Sequence, residues 1–256
     1  MRNDSATMLR RQFRHMSRDL STTLLLLAVP IVFLLLFVYV LGGTLGDGLG
    51  GQGGREAYVN YVTPGILLIT VASAVQGTSI AVAVDMTSGI MDRFRTMAIS
   101  RTSVLTGHVL GSVLQILCQL AIVLGVAVLV GFRPGATVPE WLATAGLLTA
   151  TAFALVWLAV GMGLAARSVA AASNLPMPLT LLPFFGSGFV PTESMPAGLR
   201  WFAEHQPFTP IMETMRGLLL GTPIGDSGAV ALGWCGAIGV AGYVWAKRNY
   251  NRDRSA

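Results

Sequence analysis

Long apolar runs without charged residues divide this chain. Residues 58–84 and 104–131 contain no Asp, Glu, Lys or Arg, and five charged residues lie between them, in the stretch Asp85–Ser103. A helix needs about 20 apolar residues to cross roughly 30 Å of hydrocarbon. Because a spanning backbone finds no water to bind, such runs must form helices or closed barrels. The length of these runs predicts an all-α integral membrane protein.

Six such runs are present, at residues 22–41, 58–84, 104–131, 141–166, 168–190 and 228–246. Only 11% of the residues are charged, whereas soluble domains carry about 25%. The fifth run contains Pro176, Pro178 and Pro183. Helix breakers at membrane depth are tolerated where the freed backbone faces protein or a water-filled cavity. We therefore predict six transmembrane helices, the fifth of them broken, in a single membrane domain over residues 1–256.

The segments between the runs differ in character. Residues 42–57 include eight glycines and are predicted to form a flexible external loop. Residues 191–227 are apolar in part, and burying a side chain the size of Trp201 or Phe202 is worth roughly 1.5–3 kcal/mol. We therefore expect re-entrant external helices here that fold back onto the spans or the outer leaflet. Glu213 and Arg216, three residues apart, would share one helix face.

The basic residues set the orientation of the chain. With the N-terminus inside, thirteen basic residues lie on the cytoplasmic side and four outside. The positive-inside rule therefore places both termini in the cytosol of a cell-membrane protein. The basic residues flank the apolar runs rather than forming one patch, which favours contact with membrane lipid and not with nucleic acid. Cys118 and Cys235 lie inside apolar runs, so neither a disulfide nor a metal site is expected.

Two basic segments have amphipathic spacing. In residues 89–101, Ile90, Met91, Phe94, Met97 and Ala98 recur at helical spacing, with charged residues on the other side. This pattern fits an ordinary basic cytoplasmic loop, or a docking helix that an intracellular partner pushes. In residues 1–21, Arg10, Arg14 and Arg18 repeat every four residues while Phe13 takes another face. That spacing predicts a helix in the headgroup plane, with a disordered basic tail as the alternative.

Polar and small residues within the spans have two interpretations. Gln115 and Gln119 lie one turn apart in the third run and either contact a substrate or hydrogen-bond between helices. In the last run, Gly233, Ala237 and Ala241 form a stripe of small residues that predicts a close helix contact.

The sequence contains neither a phosphate-binding loop for ATP nor the ionisable residues within the spans that would couple transport to an ion gradient. A phosphate-binding loop of the form GxxxxGK[ST] needs a lysine after glycine, and the only lysine, Lys247, follows Trp245 and Ala246. Ion-coupled carriers place ionisable groups within their spans, and here only His108 lies near the end of one. Gly186-Ser187-Gly188 resembles a serine-hydrolase turn, but no histidine lies at that depth. If the protein is a transporter, another chain must supply its energy. A structural or receptor-type membrane protein is the alternative interpretation.

The chain resembles the ABC-2 permeases in its six spans, its basic N-terminal helix, and two further stretches. Residues 93–101 (RFRTMAISR) lie between the second and third runs. A late external stretch contains residues 188–196 (GFVPTESMP), 207–210 (PFTP) and 216–221 (RGLLLG). This late stretch looks most like the daunorubicin-resistance type of permease. The resemblance covers essentially the whole chain.

The resemblance implies an exporter subunit without catalysis of its own. It implies a permease dimer, homodimer favoured over heterodimer, bound to two copies of a cytosolic ABC ATPase. ATP and magnesium would bind to that partner and no cofactor to this chain. The exported compound would be amphipathic, an antibiotic, drug or lipid. The alternatives are export of a polysaccharide or glycolipid, and a non-transport membrane scaffold.

The resemblance also assigns roles to residues. The helix at residues 89–101 would couple to the ATPase through Met91, Arg93, Phe94, Arg95, Met97, Ile99 and Arg101. The interfacial helix would use Arg10, Phe13, Arg14 and Arg18. The substrate path, between two copies of the chain, is predicted at Tyr61, Gln76, Gln115, Gln119, Asn174, Phe184 and Phe185. The external gate is predicted at Trp201, Phe202, Glu213 and Arg216.

Overall fold

The computed structural model describes residues 20–47, 54–87 and 101–251, and every regular element within those ranges is helical. The predicted interfacial helix at residues 1–21 and the predicted coupling helix at residues 89–101 fall almost entirely outside the described residues. The expectation of an all-helical membrane protein is confirmed for the part of the chain that is described.

The elements follow one another in this order. The first stretch consists of α1 (Leu20–Leu35), a π-helical turn (Leu36–Leu41) and α2 (Gly42–Asp47). Three long helices follow, α3 (Gly54–Thr87), α4 (Arg101–Val130) and α5 (Val138–Ala165). Shorter elements come next: α6 (Val169–Asn174), α7 (Met177–Leu181), 3-10 turns at Leu182–Phe185 and Thr192–Ser194, α8 (Ala197–His205) and α9 (Phe208–Leu220). The last helix is α10 (Ser227–Asn251).

Five helical stretches among the described residues are long and apolar enough to cross a membrane: Leu27–Asp47, Gly54–Thr87, Leu105–Val130, Val138–Ala165 and Ser227–Asn251. The run predicted as the fifth span is different. It forms α6, α7 and a 3-10 turn in succession and then leaves the helical conformation after Phe185. Pro176 stands between α6 and α7, where a proline removes a helical hydrogen bond.

The prediction of a flexible loop over residues 42–57 is wrong at both of its ends. Residues 42–47 form α2, and α3 begins at Gly54. Gly42 and Gly46 are buried, α2 packs along α3, and the Arg55 guanidinium lies 4.0 Å above the centre of the Tyr39 ring. Tertiary packing therefore overrides the low helix propensity of glycine at these positions.

Helix α3 lies at the centre of the molecule. In the most apolar stretch of α3, 78% of the residues are buried within the molecule, whereas the corresponding share for α10 is 22%. It packs against α1, α2, α4, α5, α6 and α9. Polar contacts tie α3 to α4 at one end and to the turn after α4 at the other. His108 Nε2 lies 3.0 Å from Asp85 Oδ2, and the backbone N–H of Arg133 donates to Asn60 Oδ1 at 3.0 Å.

Helix α10 packs mainly along α5, on a face other than the predicted one. Its buried residues are Ala231, Cys235, Gly242, Ala246 and Tyr250, whereas Gly233, Ala237 and Ala241 are exposed. A Cβ on Gly242 would come within 2.6 Å of the backbone nitrogen of Leu158. Small residues of α10 do form a close helix contact, as predicted, but they are not the predicted ones. The helix carries small residues on more than one face, and a different face packs against α5.

Candidate functional site

The proline break in the predicted fifth span lies against polar side chains of α3. Pro176 has no N–H, so the carbonyl of Ala172, four residues earlier, loses its helical donor. The hydroxyl of Ser79 donates to that carbonyl at 2.9 Å. The amide of Gln76 donates to the carbonyl of Ser173, also at 2.9 Å. We call these two contacts the Ser79 clip; they satisfy backbone carbonyls exposed where the helix is broken.

A second set of contacts holds the chain after the break. The carbonyl of Ser187 accepts a hydrogen bond from the Tyr61 hydroxyl at 2.8 Å and another from Arg216 Nη2 at 2.7 Å. Two residues on, the carbonyl of Phe189 accepts from the Tyr58 hydroxyl at 3.2 Å. We call this set the Arg216 clip. Helix α3 therefore holds the discontinuous segment, residues 169–189, at both of its ends.

Glycines let this segment lie close to its neighbours. A Cβ on Gly65 would come within 3.0 Å of the Gly188 carbonyl oxygen, and one on Gly188 within 2.7 Å of Met212 Sδ. The Gly186-Ser187-Gly188 turn thus packs its backbone against the backbone of α3 on one side and against the Met212 side chain of α9 on the other. The Ser187 hydroxyl is buried and has no hydrogen-bond partner among the described residues, so this turn contributes its carbonyl to the site.

The Arg216 side chain carries the positive charge of the second clip. Its guanidinium carbon lies 4.0 Å above the centre of the Tyr61 ring, a cation–π arrangement, and Nη2 also lies 3.4 Å from the Tyr61 carbonyl oxygen. Burial lowers the pKa of Arg216, and nearby Tyr61 and Glu213 oppose that shift. An arginine this basic nevertheless stays charged. The Arg216 clip is therefore a partly buried, charge-assisted contact.

Glu213 and Arg216, expected to share one helix face, bind different partners. Glu213 Oε2 accepts a hydrogen bond from the Ser227 hydroxyl, at the start of α10, at 2.9 Å. Within the described residues no ion pair of 4 Å or less joins Glu213 to Arg216. The two side chains bind α9 to different neighbours, so α9 is fastened at once to α3, to the Ser187 turn and to α10.

A cluster of four phenylalanines connects the first helical stretch with the broken segment. Phe184 and Phe189 stack at 5.0 Å between ring centres. Phe37, in the π-helical turn, lies 4.6 Å from Phe189, and Phe33 meets Phe184 edge-on at 5.3 Å. Aromatic pairs in such arrangements add attraction beyond the area that they bury. Of this cluster, sequence reasoning predicted only Phe184 as a site residue.

The structure brings some predicted path residues together and separates others. Tyr61 and Gln76 belong to the clips and Phe184 to the aromatic cluster. Asn174 and Phe185 are exposed, and Phe185 meets Phe202 at 6.5 Å between ring centres. Gln119 is buried on α4, where its amide nitrogen has no hydrogen-bond partner in the described ranges, and Gln115 is half-buried. Neither α4 glutamine hydrogen-bonds to a clip.

The predicted external gate divides into an exposed helix and a buried one. In α8, Leu199, Trp201 and Phe202 are exposed, and Trp201 stacks on His205 at 4.8 Å. In α9 the buried apolar residues are Phe208, Ile211, Met212, Met215 and Leu219. The backbone of α9 also accepts a hydrogen bond at Leu219 from the N–H of Gly135, at 3.0 Å. Helix α9 folds back onto the long helices as expected, whereas Trp201 and Phe202 of α8, from which that expectation was argued, stay exposed.

Most residues predicted to couple to a partner lie outside the described ranges. These are Met91, Arg93, Phe94, Arg95, Met97 and Ile99, together with Arg10, Phe13, Arg14 and Arg18 of the interfacial helix; Arg101 is the first residue of α4. The structure does describe where this segment attaches. The Asp85–His108 contact joins the last turns of α3 to the first turns of α4, so it lies at the base of residues 88–100.

Sequence reasoning missed Ser79, Tyr58 and the Asp85–His108 contact. A signal existed for the first: a proline-broken span requires donors on a neighbouring helix, and Gln76 and Ser79 lie three apart in the adjacent run. Asp85 and His108 lie 23 positions apart on different helices, so no sequence pattern connects them. Only the antiparallel packing of α3 and α4 brings them within hydrogen-bonding distance.

The fold and the clips together define a class of protein. It is a multi-pass helical membrane protein with a discontinuous helix packed against its central helix, and broken helices of this kind recur in solute transporters. The chain belongs to the ABC-2 type transporter family, whose profile matches residues 5–220. ABC-2 permeases are the membrane subunits of transporters that work with ABC ATPases.

Similar proteins carry related names. The chain is 27% identical over 212 residues to the daunorubicin resistance ABC transporter permease protein DrrB1 of Streptomyces coeruleorubidus, covering 82% of this chain and 71% of that one. It is 24% identical over 215 residues to the probable doxorubicin resistance ABC transporter permease protein DrrC of Mycobacterium tuberculosis, covering 81% and 74%. A match of 26% to the ABC transporter G family member 20 of Dictyostelium discoideum covers 65% of this chain and 23% of that protein.

Proposed function

We propose that this chain is the membrane permease of an ABC exporter that moves an amphipathic, partly aromatic compound out of the cell. A separate ATPase, in two copies, would bind ATP and magnesium and supply the energy. Two copies of the permease would form the path between them. Each copy would span the membrane six times, with the segment at residues 169–189 as the fifth crossing and both termini in the cytosol.

The observation that carries this proposal is the position of α3. This helix has 34 residues, which corresponds to about 50 Å at 1.5 Å per residue. One end holds Tyr58 and Tyr61 of the Arg216 clip, and the other end holds Asp85 and leads into residues 88–100. A displacement of the segment at residues 88–100 by the ATPase would therefore reach both clips through a single helix.

The discontinuous segment is the element that such a displacement would move. Hydrogen bonds from side chains to single carbonyls, as in both clips, are individually worth about 1 kcal/mol, or about 1.5–3 kcal/mol where a charge takes part. The free energy needed to break one such hydrogen bond is small enough for nucleotide binding to a partner ATPase to supply. An element with two stable arrangements could therefore be switched in this way. Opening the Arg216 clip would release α9 from the Ser187 turn and from Tyr61 of α3, and the predicted gate would open outward.

Two features support an amphipathic aromatic substrate. The relatives are named for resistance to daunorubicin and doxorubicin. The cluster of Phe33, Phe37, Phe184 and Phe189 offers ring faces and edges between the first helical stretch and the discontinuous segment, which carries the predicted path residue Phe184. Planar aromatic compounds would stack there in the offset or edge-on arrangements that aromatic rings prefer.

The test is transport by the reconstituted complex. The chain and its ATPase partner are inserted into liposomes, and ATP-dependent accumulation of doxorubicin is followed by its fluorescence. We expect saturable transport that requires both chains and stops when the ATPase cannot hydrolyse ATP. Transport by the permease alone, or equal accumulation without ATP, would refute the proposal.

A further inference from the structure

An open groove runs along the outer side of the α5–α10 pair. Phe153 and Trp157 of α5 form one wall, and Gly236, Gly239, Val240 and Tyr243 of α10 form the floor and the other wall. The cavity volume is about 520 Å³. We call it the α5–α10 groove. The α5–α10 groove shares no lining residue with the two clips or with the phenylalanine cluster.

The groove exists because α10 lacks side chains where it passes Phe153. A Cβ on Gly236 would meet no atom within 4 Å, and one on Gly239 would make ordinary contact, at 3.6 Å, with Ala154. The residues on either side stand out: Val240 is 65% exposed and Phe153 45%. From Leu232 to Tyr243 the groove follows α10 for about 17 Å at 1.5 Å per residue.

A positive charge lies at one end of the groove. Lys247, the only lysine in the chain, is one turn beyond Tyr243 on the same side of α10, and its Nζ lies 6.0 Å from the centre of the Tyr243 ring. Neither α10 nor the part of α5 after Glu140 contains Asp or Glu. Arg248 lies on a different side of the helix, beside Trp245, Asn249 and Asn251.

We propose that the α5–α10 groove binds one anionic phospholipid. An acyl chain lies against Gly236 and Gly239 between Phe153 and Val240, and the phosphate of the headgroup lies at Lys247. Lipid tails are as apolar as the groove, so the hydrophobic effect does not select the occupant. Selection comes from close packing along the groove and from the charge at its end. The bound lipid would fill the space beside α10, the least buried of the long helices.

The experiment is native mass spectrometry of the purified chain with an equimolar mixture of phosphatidylglycerol and phosphatidylcholine. We expect one retained phosphatidylglycerol, preferred about fivefold over phosphatidylcholine, since one lysine near an anionic surface contributes about that factor. Lys247→Gln should abolish the preference, and Lys247→Arg should keep it. Gly236→Leu places a side chain in the groove at a position whose Cβ would meet no atom within 4 Å, and it should remove the retained lipid of either kind.

Two matched variants serve as controls. Arg248→Gln removes an equal charge outside the groove, and Ala237→Leu adds an equal side chain on an exposed face of α10; both should keep the lipid and its preference. An unchanged preference in Lys247→Gln, or an unchanged amount of lipid in Gly236→Leu, overturns the proposal. If Gly236→Leu instead converts a dimer to a monomer, the groove is an interface between copies.

Discussion

The guanidinium of Arg216 and the hydroxyl of Tyr61 donate to the same backbone oxygen, that of Ser187. Arg216 lies 4.0 Å above the Tyr61 ring, and both side chains donate to the Ser187 oxygen, at 2.7 and 2.8 Å. Tyr61 belongs to the central helix α3, Arg216 to the short helix α9, and Ser187 to the turn after the broken helix. One carbonyl thus joins three elements that are far apart in the chain.

The Arg216 clip predicts a graded series of stabilities. Arg216→Gln loses a charge-assisted hydrogen bond and a cation–π contact, so we expect the free energy of unfolding to fall by about 2–3 kcal/mol. Tyr61→Phe keeps the ring and should cost about 1 kcal/mol. Arg200→Gln is the control, because Arg200 donates only to backbone carbonyls near the exposed helix α8. Equal effects of Arg216→Gln and Arg200→Gln in detergent unfolding would contradict the clip.

The Ser79 clip predicts coupling between a serine and a proline on different helices. Ser79→Ala leaves the Ala172 carbonyl without its donor and should cost about 1–3 kcal/mol. In a Pro176→Ala background the new N–H can supply that donor, so Ser79→Ala should cost less there. A double-mutant cycle measures the difference, for which we expect about 0.5–2 kcal/mol. Additive effects would mean that Ser79 does not replace the missing bond.

The Asp85–His108 contact predicts a loss of coupling with the chain still assembled. Asp85→Asn and His108→Ala remove the tie at the base of residues 88–100. We expect at least a fivefold decrease in substrate-stimulated ATPase activity of the complex, with ATPase binding in a pull-down unchanged. Glu56→Gln, an exposed carboxylate at the other end of α3, is the control. Normal stimulation in both variants would show that the contact serves packing alone.

The sequence pattern at residues 89–101 gives a separate prediction. Phe94→Ala and Arg95→Glu remove one apolar anchor and reverse one charge on opposite sides of the expected helix. Both should reduce ATPase capture in a pull-down by tenfold or more and leave membrane insertion intact. Met91→Leu is a conservative control in the same segment. Full transport with both changes would favour an ordinary cytoplasmic loop.

The two external helices predict different access to water-soluble thiol reagents. With Cys118 and Cys235 replaced, a cysteine at Trp201 should react at once, since that side chain is 64% exposed. A cysteine at Leu219, which is fully buried, should react slowly at rest and several times faster during ATP turnover if α9 moves. Equal rates at position 219 with and without ATP would exclude α9 as the moving gate.

Much of the architecture could be predicted from hydropathy. The charge-free runs located five long helices, and the prolines of the fifth run predicted its break. Hydropathy reports whether a helix enters the membrane, which depends on composition summed along the helix. For that reason it could place Tyr61 and Gln76 in the second run without showing which carbonyls they bind.

The partners of those residues depended on tertiary structure. Neither the Ser79–Ala172 nor the Tyr61–Ser187 contact leaves a periodic signal, because the residues lie about 90 and 130 positions apart. The same limit explains why α10 packs through Gly242 and not Gly233, and why α2 is helical despite its glycines. In a bilayer, lipid and protein interior are equally apolar, so composition determines which segments enter it. Close packing and the need to satisfy each freed carbonyl then decide which faces meet.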